Sequence, residues 1–569
     1  MASPASRRCA SAAVRALSAA LLAVVGCRIQ EGVDTARVGG SGGSAVQIVG
    51  AQYFVSAAGG GDETFEVFLH NRSGAVVQLG RVFLDGRELP VPADGSSVEA
   101  LRRFDFGFGG SRAAKSLRNR KDDDVRWFQF YPSTALPPGG HCSLQVNFRG
   151  RTRPRSIGVE ADGGIVAAEA PRYASPGRAV QFMGFDSALA HAYVLLSPGR
   201  PPASVSAFGV PARMRVLETD HGCAPCAVVV DLPRRPAPGE AVLLEFLFHG
   251  GAVRRALVRP MPGVVCEATS HLDDDSPLPD DARKRFCFDG SMSVWRIPVD
   301  PLCDDVRAKE RGFSAAMCLA RRRGRAEKEP WRLCGVDFCT ALYCPEVWNI
   351  YAPMADAVFS KPYRLHWGRN ASSFVEEEDA QIADTVRICA PRPVIWVPDR
   401  FRRGRALAGD EFSLLAWTAL MRGARGVRCH HWKNSAEDPF SGDSGLAEAV
   451  AKFTADFRRL RPLVEKLIPV RSSEDRTSHV RTLEGWCGDS GMMLLVRRDA
   501  HGADAGAAAE VRCRLPKWLA FGSAVDPLSG KGVDCVVSGR DLSMRLSGAE
   551  PFRLVWIPNE NAVDGGKGG

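Results

Sequence analysis

The stretch "RPVIWVPDRFRRGRALAGDEFSLLAWTALMRGARGVRCHHWKN", residues 392–434, decides the fold. It opens on "VIWV", a short apolar run between two prolines, with the length and β-branched content of a buried strand. "DEFSLLAWTALMRG", residues 410–423, then reads as a helix, with Asp410 as its N-cap and Gly423 as its stop. "GVRCHHW" returns to a strand. A strand, a helix and a second strand form a βαβ unit, and such units build a parallel sheet.

The same alternation extends in both directions. Upstream, "SVWRIPVDP" (293–301), "WRLCGVDFCT" (331–340) and "AVFSKPY" (357–363) read as strands, and "PGVVCEAT" (262–269) adds a sixth. The helices between them are "DDVRAKERGFSAAMCLARRR" (304–323) and "SSFVEEEDAQIADTVRIC" (372–389), the second opening on a capping box of Ser373 with Glu376. Downstream, Leu446, Val450, Phe453, Phe457, Leu460, Val464 and Leu467 recur at spacings of three and four, which predicts one long helix with a single buried stripe.

Outside residues 263–475 the pattern is β. Residues 45–155 and 156–262 each carry short apolar or alternating runs separated by Gly/Pro turns, with Asp85-Gly86 as a hairpin signal. Each predicts an immunoglobulin-like sandwich. Residues 476–560 predict a third sandwich, and residues 561–569 a disordered tail. The fold class is thus multidomain: two β-sandwiches, a (β/α) unit and a closing sandwich.

The N-terminus reads as an export signal, residues 1–27. Arg7, Arg8 and Arg15 precede "ALSAALLAVVG", which is too short to span a bilayer. "VVGC" resembles a bacterial lipoprotein cleavage site, with Cys27 as the lipidated residue, and "GGSGGS" lies within a flexible linker, 28–44. The expected location is therefore secreted or cell-envelope. The membrane enters only through that lipid anchor. The net charge of +9 is spread over 569 residues, and "RRRGR" (321–325) and "RFRRGR" (400–405) read as solvated loops, so nucleic acid is not an expected partner. Seventeen cysteines include one CxxC, "CAPC" (223–226), without the second pair that a zinc ribbon needs. "GDSG" occurs at 442–445 and 488–491, in turns and without the His and Asp contexts of a serine-protease site. No metal and no cofactor are implied.

The chain resembles exported glycoside hydrolases, in which β-sandwiches precede a (β/α)8 barrel and another follows it. "RPVIWVPDRF", then "DEFSLLAWTALMRGARGVRCHHWKN" and the long helix resemble the last two strands of such a barrel, and "LP…VDPLSGK…LSMRLSG" resembles its closing β domain. The resemblance implies a TIM-type barrel, an oligo- or polysaccharide as partner, and O-glycosyl hydrolysis if the site is active. It departs from the pattern in length: residues 264–470 are fewer than the ~250 of a full barrel, and six strands stand where eight are needed. The barrel is read as incomplete. A catalytically inactive surface protein that binds glycans or other proteins is the alternative, and the oligomeric state is open.

Barrel enzymes place their chemistry at the C-terminal ends of strands. Glycoside hydrolysis needs two carboxylates flanking the bond. Asp300, directly after a strand, and Glu346 are the catalytic candidates; their bland readings are helix caps and a dipole-favoured acid. Asp337, Tyr363, Asp399, His431 and Trp432 are the substrate-binding candidates. Because side chains alternate along a strand, His430 and His431 face opposite ways and do not share a metal. Trp432 is expected to stack on a sugar ring and His431 to bond a hydroxyl; packing at a strand end is the competing reading.

Overall fold

The computed structural model describes residues 38–39, 44–55, 63–89, 125–148, 154–171, 177–197, 201–217, 226–270, 287–293, 332–339, 348, 352–361, 374–398, 407–431, 444–475, 479–498, 508–547 and 550–562. Residues 1–27, with the export signal and Cys27, lie outside this set.

Six parallel strands form the central sheet: β1 (Val265–Ser270), β2 (Cys287–Ser293), β3 (Arg332–Cys339), β4 (Ala357–Lys361), β5 (Val394–Trp396) and β6 (Gly426–His431). Their order in space is β1-β6-β5-β4-β3-β2, and every pairing is parallel. Strands two to six thus lie in chain order, and the first lies beside the last. That is the neighbour order of a ring opened at one seam; among the described residues β1 and β2 share no pairing. Five strands fall on the expected segments. The remaining expectation, "SVWRIPVDP", shifts: the strand before the long connection is Cys287–Ser293, and "SVWRIPVDP" lies outside the described residues apart from Ser293.

Gly426 makes the β1–β6 contact close. A Cβ at this position would stand 2.4 Å from Val265 Cγ2 and 2.6 Å from the Val265 carbonyl oxygen. Only a residue without a side chain lets the two backbones approach so far.

Three described helices cover the sheet: α1 (Phe374–Cys389), α2 (Gly409–Met421) and α3 (Ser444–Val464). All seven residues of the predicted α3 stripe are buried, each worth about 2 kcal/mol of apolar burial. They pack with Phe412, Leu415 and Trp417 of α2 and with Val427 of β6. Ala408, not Asp410, is the N-cap of α2. Glu411 accepts a hydrogen bond from the Ala408 backbone N–H at 3.0 Å, while Asp410 sits in the first turn and accepts from the Glu411 N–H. Only the return half of a capping box is present, because alanine offers no oxygen to accept the N3 N–H. Gly423 ends the helix as expected, at φ +97°.

The flanking β regions are two-sheet structures. In the first, Val46–Val55, Glu63–Asn71, His141–Phe148 and Val125–Tyr131 form one antiparallel sheet. Ser156–Ala161 pairs with Val77–Leu84 in the other, so hydrogen bonding carries this unit past residue 155 to Glu169. The second unit is one seven-strand path folded over a shared core, with Val194, Val228 and Val230 on one side and Leu244, Phe246 and Val258 on the other. In the closing unit, Leu467–Asp475 already pairs with Val480–Cys487, so the unit begins at the end of α3. Cys389, Cys487, Cys513 and Cys535 are free thiols.

Candidate functional site

Side-chain packing fixes which face of each central strand is which. Leu333, Ala357, Phe359, Ile395 and Val397 cluster together, with Val265 against them. Their in-between neighbours face the helices: Ser360 Oγ lies 3.5 Å from Thr385 Oγ1 of α1, Cys266 Sγ lies 3.9 Å from Thr454 Oγ1 of α3, and Trp396 donates to Glu378 Oε1 at 2.8 Å. The first set marks the inner face of the curled sheet.

Register then lays out rows across that face. Val265, Gly426, Ile395, Phe359, Asp337 and Ser293 stand side by side on successive strands. One step towards the C-terminal ends, Glu267 pairs in register with Arg428, and Lys361 with Cys339. One step further, Thr269 pairs with His430. Arg428 is buried, and its guanidinium lies 5.0 Å above the Phe359 ring, on the inner side. Inner positions are apolar at the N-terminal ends of the strands; at the C-terminal ends Glu267, Lys361 and Arg428 stand in a row with Cys339 and Val397.

The N-terminal ends are closed by buried polar anchors. Arg425, just before β6, donates to the carbonyls of Phe185 (2.6 Å), Gly263 (2.8 Å) and Glu465 (3.0 Å). Burial pulls its pKa down to about 10. Asp356, just before β4, accepts from Tyr131 Oη at 2.8 Å and from Arg259 Nη1 at 3.0 Å. Arg392, before β5, lies 3.4 Å over the Tyr131 ring and donates to the Leu257 carbonyl. These residues bind the first and second β units to one end of the parallel strands. On the flank, fully buried Asp379 of α1 accepts from Arg422, Arg481 and Arg497 at 2.6–3.1 Å, joining α1 and the residue after α2 to the closing unit. Burial opposes ionisation of Asp379, but the three guanidinium groups hold its carboxyl below the usual range.

Asp337 stands on β3 at an inner-face register position, beside Phe359. His431 ends β6 at the strand parity of helix-facing Val427; His430 has the parity of Arg428. Asp300, Glu346, Tyr363, Asp399 and Trp432 lie outside the described residues, in the chain segments that follow β2, β3, β4, β5 and β6. Sequence reading passed over Glu267 and Arg428 as inner-face positions. The signal for Glu267 was present in "VVCEAT": once this is a strand and Val265 faces inward, Glu267 shares its parity. Among the described residues no group of three His, Cys, Asp or Glu is arranged to hold a metal ion.

No family model matches the chain, and no curated protein matches it. Among solved structures it is similar to a glycoside hydrolase (10% identity over 44% of this chain and 62% of that one, TM-score 0.31). It is also similar to a glycoside hydrolase family 5 structure from Bacteroides vulgatus (11%, 44% and 60%, 0.30). A third is a cycloalternan-degrading enzyme from Trueperella pyogenes, in complex with a covalent intermediate (10%, 89% and 96%, 0.28). The match spans less than two thirds of the first two structures. TM-scores of this size carry no argument about fold or function.

Proposed function

We propose that the chain is an exported carbohydrate-active protein that holds a glycan at the C-terminal ends of β1–β6, in an incomplete TIM-type barrel, and hydrolyses a glycosidic bond there. The polarity gradient of the inner face carries this reading. A packed core has little use for Glu267, Lys361, Asp337 and His430 at inner register positions, because burying ionisable groups costs several kcal/mol unless they have work or partners. Convergence at the C-terminal ends is where parallel α/β sheets bind ligands. The strand order supports a ring, since β1 lies beside β6. The export segment, lipidation at Cys27 and the division into two β units, an α/β unit and a closing β unit belong to the same reading.

Two carboxylates are required, one as acid and one as base or nucleophile. Asp300 and Glu346, in the segments after β2 and β3, are the proposed pair. Asp337, Tyr363, Asp399, His430 or His431, and Trp432 are proposed to contact sugar. Purified chain incubated with a glycan panel should bind at least one glycan and release product. Asp300→Asn and Glu346→Gln should abolish release and keep binding; unchanged release from both variants rejects the assignment.

One observation favours the second reading, a glycan-binding protein without turnover. Among the described residues six parallel strands, not eight, form the sheet, and no hydrogen bonds join β1 to β2. Binding without product release, in the wild type, would decide for it.

A further inference from the structure

A recess lies at the N-terminal end of the sheet. It encloses about 1190 Å3 between the 235–240 loop of the second β unit, the linker before β1, the start of β3 and the C-terminal half of α3. Four arginines line it, Arg235, Arg259, Arg458 and Arg461, against two glutamates, Glu240 and Glu465. Both glutamates are occupied. Glu240 pairs with Arg234, and Glu465 accepts from Arg461 at 2.7 Å and from the Ser187 hydroxyl and backbone N–H. Arg259 is held by Asp356 at 3.0 Å. Arg235 and Arg458 are left: both are exposed, and neither pairs with a carboxylate among the described residues. One belongs to the loop and the other to α3, so the two cationic groups come from different walls. Pro236, Pro238, Pro260 and Pro262 lie along the surface between.

We infer that this cleft binds an acidic oligosaccharide, one bearing carboxylate or sulfate groups, with Arg235 and Arg458 holding the anions. A guanidinium presents a planar fork of donors that matches a carboxylate or sulfate two atoms at a time. Proline rings offer C–H surface to the apolar faces of sugar rings. The volume is that of a site for several rings rather than for one ion. That the ligand is a glycan rests on the reading of the preceding subsection; that it is anionic rests on the two unmatched arginines. The cleft adjoins the N-terminal ends of β1 and β3, so it is separate from the site proposed at their C-terminal ends.

The full chain is titrated calorimetrically with a uronic-acid oligosaccharide, a sulfated one, a neutral one of equal length, and inorganic sulfate. The expected result is that at least one acidic oligosaccharide binds about tenfold or more tightly than the neutral one, with affinity falling as salt rises. The double variant Arg235→Ala/Arg458→Ala should lose about tenfold or more of that affinity while melting at the wild-type temperature and releasing product from neutral glycans as before. Equal binding of acidic and neutral chains, or acidic binding unchanged in the double variant, overturns the inference. So does inorganic sulfate binding as tightly as the sulfated oligosaccharide, since no sugar would then be recognised. Arginine-dependent acidic binding without any handling of neutral glycans would sink the C-terminal-end reading and leave this one standing.

Discussion

The two ends of the parallel sheet are built on different principles. At the N-terminal ends, apolar inner residues meet buried arginines that donate to carbonyls and carboxylates, as with Arg425 and the Asp356–Arg259–Tyr131 group. At the C-terminal ends, the inner positions are Glu267, Thr269, Arg428, His430, Lys361 and Asp337. One end uses its polar groups to fasten three units together; at the other, polar residues share the inner-face register. Stability and chemistry are thereby separated along the strand direction, so a change at one end should be felt differently from a change at the other.

The largest expected effect is on the fastened part. Asp379→Ala would leave Arg422, Arg481 and Arg497 facing one another without their carboxylate, and Arg497 is fully buried. A loss of about 3–5 kcal/mol is expected, read from urea unfolding; a loss under about 1 kcal/mol would show that solvent reaches this group after all. Next is the seam. Gly426→Ala places a methyl into Val265 and should cost about 1–3 kcal/mol by the same measurement. A neutral result would mean that β1 and β6 are not in contact.

The comparison also predicts a pH dependence. His70 and His141 stack face to face in the first β unit, centroids 4.5 Å apart. Burial, with the neighbouring His70, lowers the His141 pKa to about 4. Between the unfolded value of about 6.5 and pH 4 the unfolded chain takes up a proton that the folded chain refuses. Stability should therefore fall as pH drops through this window, by up to about 2–3 kcal/mol, and His141→Gln should flatten the slope. Asp379, whose pKa is also lowered, adds acid sensitivity below its own unfolded value, so the difference between wild type and His141→Gln isolates the histidine. The smallest stability effect is expected at the open end. Glu267→Gln and Asp337→Asn should each change stability by less than about 1 kcal/mol while weakening glycan binding. A larger loss would place these residues among the fastenings.

Local pattern revealed the βαβ alternation, the α3 stripe and five of the six strands where they occur, because amphipathic periodicity and strand length are properties of short windows. It failed where long-range contacts decide. "CFDGSMS" (287–293) lacks β-branched residues, contains a glycine and carries a register shift between Phe288 and Ser291, so nothing local marks it as β2. A boundary at 155 divides the first sandwich, yet the strand after it returns to pair with Val77–Leu84. Arg425, Arg428 and Arg497 read as surface residues by type and are buried, since their partners come from distant elements. For the site, alternation told His430 from His431, but only the packing of Val427 and Arg428 says which parity is inner.

The most direct test is a crystal structure of the full chain soaked with the tightest-binding neutral glycan of the panel. The account predicts a sugar seated among the C-terminal ends of β1–β6, within hydrogen-bond reach of Glu267, Asp337 or His430. Sugar found only on the outer faces of the β units, with those strand ends dispersed or filled by packed side chains, would contradict it.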